Sequence, residues 1–185
     1  MNLIERVYGE PRNLQSTTAI IQEILRVLGA CVTCETNSPG PTLFNCLDRC
    51  AILHVEDEDG SACLFRAALD EAGIGVSVYR VSDGEQALAF LHQVGVYQSA
   101  RRPELVVLDL NMPRVDGWTV LRSLKEDEHL RDIPIVVLTT SPLPEDHAKA
   151  LICGARRYLV KPAGFFDLVR AVESICADFL PQAVS

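Results

Sequence analysis

From Arg49 onward, short apolar runs alternate with stretches of helical periodicity, and this rhythm restricts the fold more than any other feature. The strand-like runs are CAILHVE, GVSVYRV, ELVVLDL, IPIVVLTT and RRYLVK. The helix-like stretches that follow them are SACLFRAALDEAG, SDGEQALAFLHQVG, GWTVLRSLKED, PEDHAKALICG and GFFDLVRAVESICADFL. Strands are predicted to start near Ala51, Val76, Glu104, Ile133 and Arg156, spaced 23 to 29 residues apart. That spacing is the length of a βαβ unit, whose right-handed crossovers build a parallel sheet. Runs one, three and four are nearly continuous Val, Ile and Leu, as expected when helices cover both faces. Run two is more polar and suits an edge. Ser82 and Asp83 provide a helix start, and Gly73 and Gly95 provide stops.

The segment 1–48 is different. NLQSTTAIIQEILRVLGA can form an amphipathic helix with Ile20, Ile24, Val27 and Leu28 on one side, and TNSPGPT breaks it. The expected division is an N-terminal extension at 1–48, partly helical or disordered, a domain at 49–180, and a tail at 181–185. The early run AIIQEILRVLGA contains Gln22, Glu23 and Arg26, so it is not a membrane span, and no signal peptide is visible. A cytoplasmic location is expected. The formal charge of −8 offers no basic field for nucleic acid or anionic lipid. Of the seven cysteines, Cys63, Cys153 and Cys176 read as small reduced core residues. Cys31, Cys34, Cys46 and Cys50 have a spacing that resembles Zn²⁺ ligands. Against zinc, Cys50 runs directly into the first strand, and no glycine follows the Cys-x-x-Cys pair.

An open parallel sheet binds ligands beyond the carboxyl ends of its strands. Strand one closes on Glu56 and Asp57, strand three on Asp109, strand four on Thr139 and Thr140, and strand five on Lys161. If the strand order is 2-1-3-4-5, these four ends are neighbours. Three carboxylates brought together repel and call for a cation; a hard divalent ion such as Mg²⁺ fits oxygen ligands. Mg²⁺, an ammonium and a hydroxyl around one carboxylate suit a phosphoryl group, with the carboxylate as nucleophile. The rigid apolar run before Asp109 is expected to carry its carboxylate out at the mouth of the sheet, so that it need not be buried.

HVEDED, VVLDLNMPRVDGW, VVLTTS and YLVKPA, in this order and spacing, resemble the receiver domain of two-component response regulators, the CheY-like family, over residues 50–180. The resemblance implies a flavodoxin-like, doubly wound sheet of five parallel strands in the order 2-1-3-4-5 with five helices. It implies Asp109 as phosphoacceptor for a sensor histidine kinase. Asp57 would bind Mg²⁺ directly, Glu56 through water, and Asn111 through its backbone carbonyl. Thr139 would hydrogen-bond the phosphoryl oxygen and Lys161 would pair with Asp109. Tyr158 would be the aromatic switch that turns inward when Thr139 moves. Met112, Pro113, Asp116 and Gly117 would form the turn into the third helix. The Lys161–Pro162 bond is often cis in this family, which an X-Pro bond permits.

GVYQSARRPELVVLDLNMPR and DEHLRDIPIVVLTTS are similar to a narrower group of stand-alone receivers, several serving phytochrome-type kinases. Glu58 and Asp59 replace the family's frequent Asn-Pro and are placed to cap the first helix. Thr140 replaces a frequent Ala, and Asn111 and Ser141 stand where the family tunes its dephosphorylation. Only PQAVS follows Leu180, so the expected output is a change in the helix-four, strand-five and helix-five face. That face would bind a protein target, form a homodimer, or relay to a further histidine. Such a protein is a phosphoacceptor that catalyses only its own phosphorylation and dephosphorylation. A haloacid-dehalogenase-like phosphatase also uses a strand-end Asp, but it requires a second acid where Asn111 stands. A nucleotide-binding module needs a glycine-rich loop where EDEDGS repels phosphate. Outside the set, Lys161 would read as a surface charge and Tyr158 as packing. His54 and Trp118 read as packing residues.

Overall fold

The computed structural model describes residues 50–112 and 116–180. The expected extension 1–48 with Cys31, Cys34 and Cys46, the turn residue Pro113, and the tail 181–185 lie outside these residues. The described elements are β1 (Ala51–Val55), α1 (Asp59–Glu71), β2 (Ser77–Val81), α2 (Gly84–Leu91), a 3₁₀ turn (Gly95–Tyr97), β3 (Leu105–Leu108), α3 (Gly117–Glu126), β4 (Ile135–Thr139), α4 (Pro144–Ile152), β5 (Arg157–Val160) and α5 (Phe165–Phe179). All pairings are parallel, and the strand order is 2-1-3-4-5. The polar second strand is an edge, as its sequence predicts.

Alternation along the buried strands separates two apolar layers. Leu53, Val55, Val106, Leu108 and Val137 face Ala87 and Phe90 of α2, Val120, Leu121 and Leu124 of α3, and Ala150 of α4. Ile52, Leu105, Val107, Val136 and Leu138 face Phe65 and Leu69 of α1 and Val169, Val172 and Ile175 of α5. Every residue of β1, β3 and β4 is buried, which is why these strands are apolar apart from His54 in β1 and Thr139 at the end of β4. Removing one such side chain, as in Leu108→Ala, costs about 2–5 kcal/mol.

Local signals set several boundaries. The Asp83 carboxylate accepts from Gln86 N at 2.8 Å and starts α2. Asp116 accepts from Thr119 N at 2.9 Å and starts α3. Gly73, at φ 68°, turns the chain away from α1 through a left-handed conformation. Two expectations need correction here. Glu58 occupies the N-cap position of α1 but makes no capping hydrogen bond; its carboxylate accepts from Ser61 Oγ at 2.7 Å instead. No peptide bond among the described residues is cis, so Lys161–Pro162 follows the ordinary trans preference.

Candidate functional site

The main-chain ladder runs one residue beyond three strands, and this positions the site. Glu56 N donates to Val81 O at 3.0 Å, Asp109 N to Val55 O at 3.0 Å, and Lys161 N to Thr139 O at 2.7 Å. Each residue is therefore held by the sheet just before its chain turns away. Because β1, β3, β4 and β5 are successive neighbours, Glu56, Asp57, Asp109, Thr139 and Lys161 converge at one end of the sheet.

Lys161 Nζ lies 2.6 Å from Asp109 Oδ2 and 2.7 Å from Glu56 Oε2. Both carboxylates are buried, Asp109 at 4% and Glu56 at 1% exposure. The apolar run thus leaves Asp109 inside the protein rather than out at the mouth. The correction has a physical reason: an ammonium shared by two carboxylates offsets desolvation that neither would tolerate alone. Burial raises the pKa of Glu56, with Lys161 opposing the shift. Burial alone would lower Lys161, but its hydrogen bonds and attraction to Asp109 and Glu56 prevail and raise it. His54 stacks on Phe65 at 4.2 Å, and burial, helped by Lys161 and Arg80, holds its pKa down at about 3. It is a neutral packing residue, as expected.

Glu56, Asp57 and Asp109 each offer an oxygen within 4.8 Å of the others. Lys161 neutralises only one of these three charges. The donors are all hard oxygens, so the set fits a divalent ion of the Mg²⁺ or Mn²⁺ type. Asn111 N donates to Asp109 Oδ1 at 3.1 Å and fixes the carboxylate's second oxygen. The Asn111 amide reaches Thr140 Oγ1 at 3.2 Å and, more weakly, Thr139 Oγ1 at 3.4 Å. Thr139 is fully buried at the end of β4. Tyr158 on β5 donates its hydroxyl to Ser141 O at 2.8 Å, and its ring packs beside His147 at 5.1 Å.

One contributor escaped the sequence reading, and two residues named there for other roles make contacts it did not foresee. Arg80 on β2 donates to Glu56 O and Asp57 O, both at 3.1 Å, and to Asp59 Oδ1 at 2.6 Å. Ser141 Oγ donates to Asp146 Oδ2 at 2.6 Å and ties the β4–α4 loop to α4. Gly117, named only as a turn residue, lies directly against the main chain of Asp109 and Leu110. Reading strand ends could not find Arg80, which stands one residue before the end of an edge strand. Of the cysteines, Cys50 is buried in the α1/α5 layer with Cys176, the setting of a packing residue. Cys63 is exposed, so it is not the core residue expected of it, whereas Cys153 is half-buried and packs against the core layer under α2, α3 and α4.

Comparison with known proteins gives one consistent result. Residues 52–173 match the response regulator receiver domain family. Among curated relatives, the probable methanogenesis regulatory protein FilR2 of Methanothrix harundinacea is 41% identical over 126 residues, 67% of this chain and 79% of that protein. Response regulator Rcp1 of Synechocystis is 38% identical over 124 residues, 67% of this chain and 84% of that protein. Among solved structures, the phosphorylated cyanobacterial phytochrome response regulator RcpA superposes with a TM-score of 0.67 at 36% identity, covering 73% of this chain and 98% of that one. The Mn²⁺-bound form of Rcp1 superposes with a TM-score of 0.64 at 37% identity, covering 69% of this chain and 91% of that one. Among the described residues, no helix is long and apolar enough to cross a membrane. Strand order, the carboxylates gathered at the strand ends and the match over most of the chain lead to one assignment: the chain belongs to the response regulator receiver domain family of two-component signalling.

Proposed function

We propose that Asp109 accepts a phosphoryl group from the phosphohistidine of a sensor kinase, with Mg²⁺ bound at Glu56, Asp57, Asp109 and the Asn111 carbonyl. The observation that carries this reading is the 2.6 Å contact between the buried Asp109 and Lys161, next to two further carboxylates. In the transfer, a carboxylate oxygen of Asp109 bonds to phosphorus as the phosphorus–nitrogen bond breaks, and the imidazole keeps the electron pair. A bound divalent ion supplies positive charge to the phosphoryl oxygens. Lys161 neutralises charge at the same centre, and Thr139 provides a hydroxyl for a phosphoryl oxygen. Tyr158 follows Thr139 and changes the surface of α4, β5 and α5, where Ile152, Val160 and Phe166 are exposed. A protein target, a second copy of the chain or a further histidine reads that surface. Likeness to the phytochrome response regulator RcpA favours a phytochrome-type kinase as phosphodonor. The protein works as a signalling switch in the cytoplasm, its chemistry limited to its own acyl phosphate.

The test is intact-mass measurement after incubation with Mg²⁺ and a small acyl-phosphate donor. Wild type should gain one phosphoryl group and Asp109→Asn none. No gain in wild type, or an equal gain in both, would refute the reading.

A further inference from the structure

We infer that Arg80 is a positioning residue for the divalent-ion site, gripping the main chain that carries Glu56 and Asp57. The inference rests on the proposed function and extends it to a residue outside the carboxylate set. The β1–β2 ladder ends where Glu56 N donates to Val81 O. Beyond that rung, the carbonyls of Glu56 and Asp57 have left the pairing of the sheet and are free to take a side-chain donor, the first in a part-buried contact and the second in an exposed one. Arg80 stands opposite His54 in the register, so its side chain extends along the sheet edge toward this turn. Its Nε meets Glu56 O and its Nη2 meets Asp57 O, both at 3.1 Å, while Nη1 reaches Asp59 at 2.6 Å.

The two carbonyl contacts come from one rigid, planar edge of the guanidinium. They fix two successive peptide planes and therefore the directions in which the side chains of Glu56 and Asp57 leave the chain. Asp59 is 90% exposed, so its ion pair with Arg80 contributes little and leaves the carbonyl grip as the main effect. Lysine cannot substitute, because a single ammonium lacks the paired, coplanar donors.

Charge and geometry predict opposite outcomes here. If Arg80 acted only through its positive charge, removing it would tighten binding of a cation nearby. If it positions the loop, removing it loosens the carboxylates and weakens binding.

Mg²⁺ is titrated calorimetrically into the full-length chain carrying Arg80, Arg80→Met or Arg80→Lys, and acyl-phosphate transfer is followed against Mg²⁺ concentration. Arg80→Met should weaken Mg²⁺ binding by roughly 10–100-fold, the usual effect of losing a residue that orients ligands. The maximal transfer rate at saturating Mg²⁺ should be unchanged. Arg80→Lys, which keeps the charge and loses the fork, should weaken binding similarly, and it decides the matter if Arg80→Met does not fold. Unchanged or tighter binding in the variants, with wild type binding Mg²⁺ and accepting phosphate, would overturn the inference alone. A wild type that neither binds Mg²⁺ nor gains phosphate would instead refute the proposed function.

Discussion

Gly117→Ala tests how tightly the third helix is set against the end of the strand that carries Asp109. A Cβ at this position would stand 2.3 Å from Asp109 O, 2.7 Å from Leu110 Cα and 3.1 Å from Asp109 C. Ordinary contacts between such atoms need about 3.5 Å, so helix and strand must separate by roughly 1 Å. The neighbours are main chain and cannot rotate aside. If the helix moves, Val120, Leu121 and Leu124, all fully buried, lose their packing. If the strand end moves, Asp109 leaves its 2.6 Å contact with Lys161. Overpacking of this kind costs about 1–3 kcal/mol. Alanine's better helix propensity returns about 1 kcal/mol, leaving a net loss of up to about 2 kcal/mol. A misplacement of about 1 Å at the Asp109 carboxylate should also slow the proposed phosphoryl transfer by roughly 100-fold. Urea denaturation reads the first effect, and the initial rate of mass gain with an acyl-phosphate donor reads the second. Gly60→Ala is the control: it lies in α1, and its nearest new neighbour is Glu58 Oε1 at 3.9 Å. It should be neutral or stabilising by up to about 1 kcal/mol. A Gly117→Ala protein as stable and as quickly phosphorylated as wild type would refute the reasoning.

Lys161→Met leaves two buried carboxylates without their shared ammonium, so urea denaturation should show a loss of about 3–5 kcal/mol; millimolar Mg²⁺ should restore more stability to this variant than it adds to wild type. Burial pushes the Cys176 thiol from 9.0 up to about 12, so the native state retains a proton that the unfolded chain releases. Stability from this group is complete below pH 9 and declines as pH rises toward 12, by about 2 kcal/mol at pH 10.5. Cys176→Val should remove that part of the alkaline decline, measured as the difference between the two proteins' urea curves at pH 7.5 and 10.5. Asp83→Ala removes the cap of α2 and should cost about 1 kcal/mol by the same assay.

The sequence revealed the sheet because parallel strands covered on both faces must be apolar throughout, so LVVL and IVVLT stand out against amphipathic helices. It pointed to the candidate site because the polar residues that end those strands have no role in an apolar core. The burial of Asp109 was not legible: its pairing with Lys161 was expected, but not that Glu56 would share the same ammonium. Arg80 was hidden because an arginine on a polar edge strand looks the same whether it meets solvent or main-chain carbonyls. The closeness of Gly117 to Asp109 is a fact of packing, and a glycine at a helix start reads equally well as a turn. Cys63 misled because an apolar neighbourhood in sequence spans both faces of a helix, and it falls on the outer one.

The contacts of Ser141 have a mechanical consequence. Its carbonyl is held by Tyr158 on β5 and its hydroxyl by Asp146 in α4, two residues after Thr139. That leaves almost no slack in the chain leaving β4. A shift at Thr139 is therefore passed through Ser141 toward both the fifth strand and the fourth helix. Such a linkage acts as a short stiff lever, and loosening either attachment at Ser141 would disconnect one arm while leaving the pivot in place.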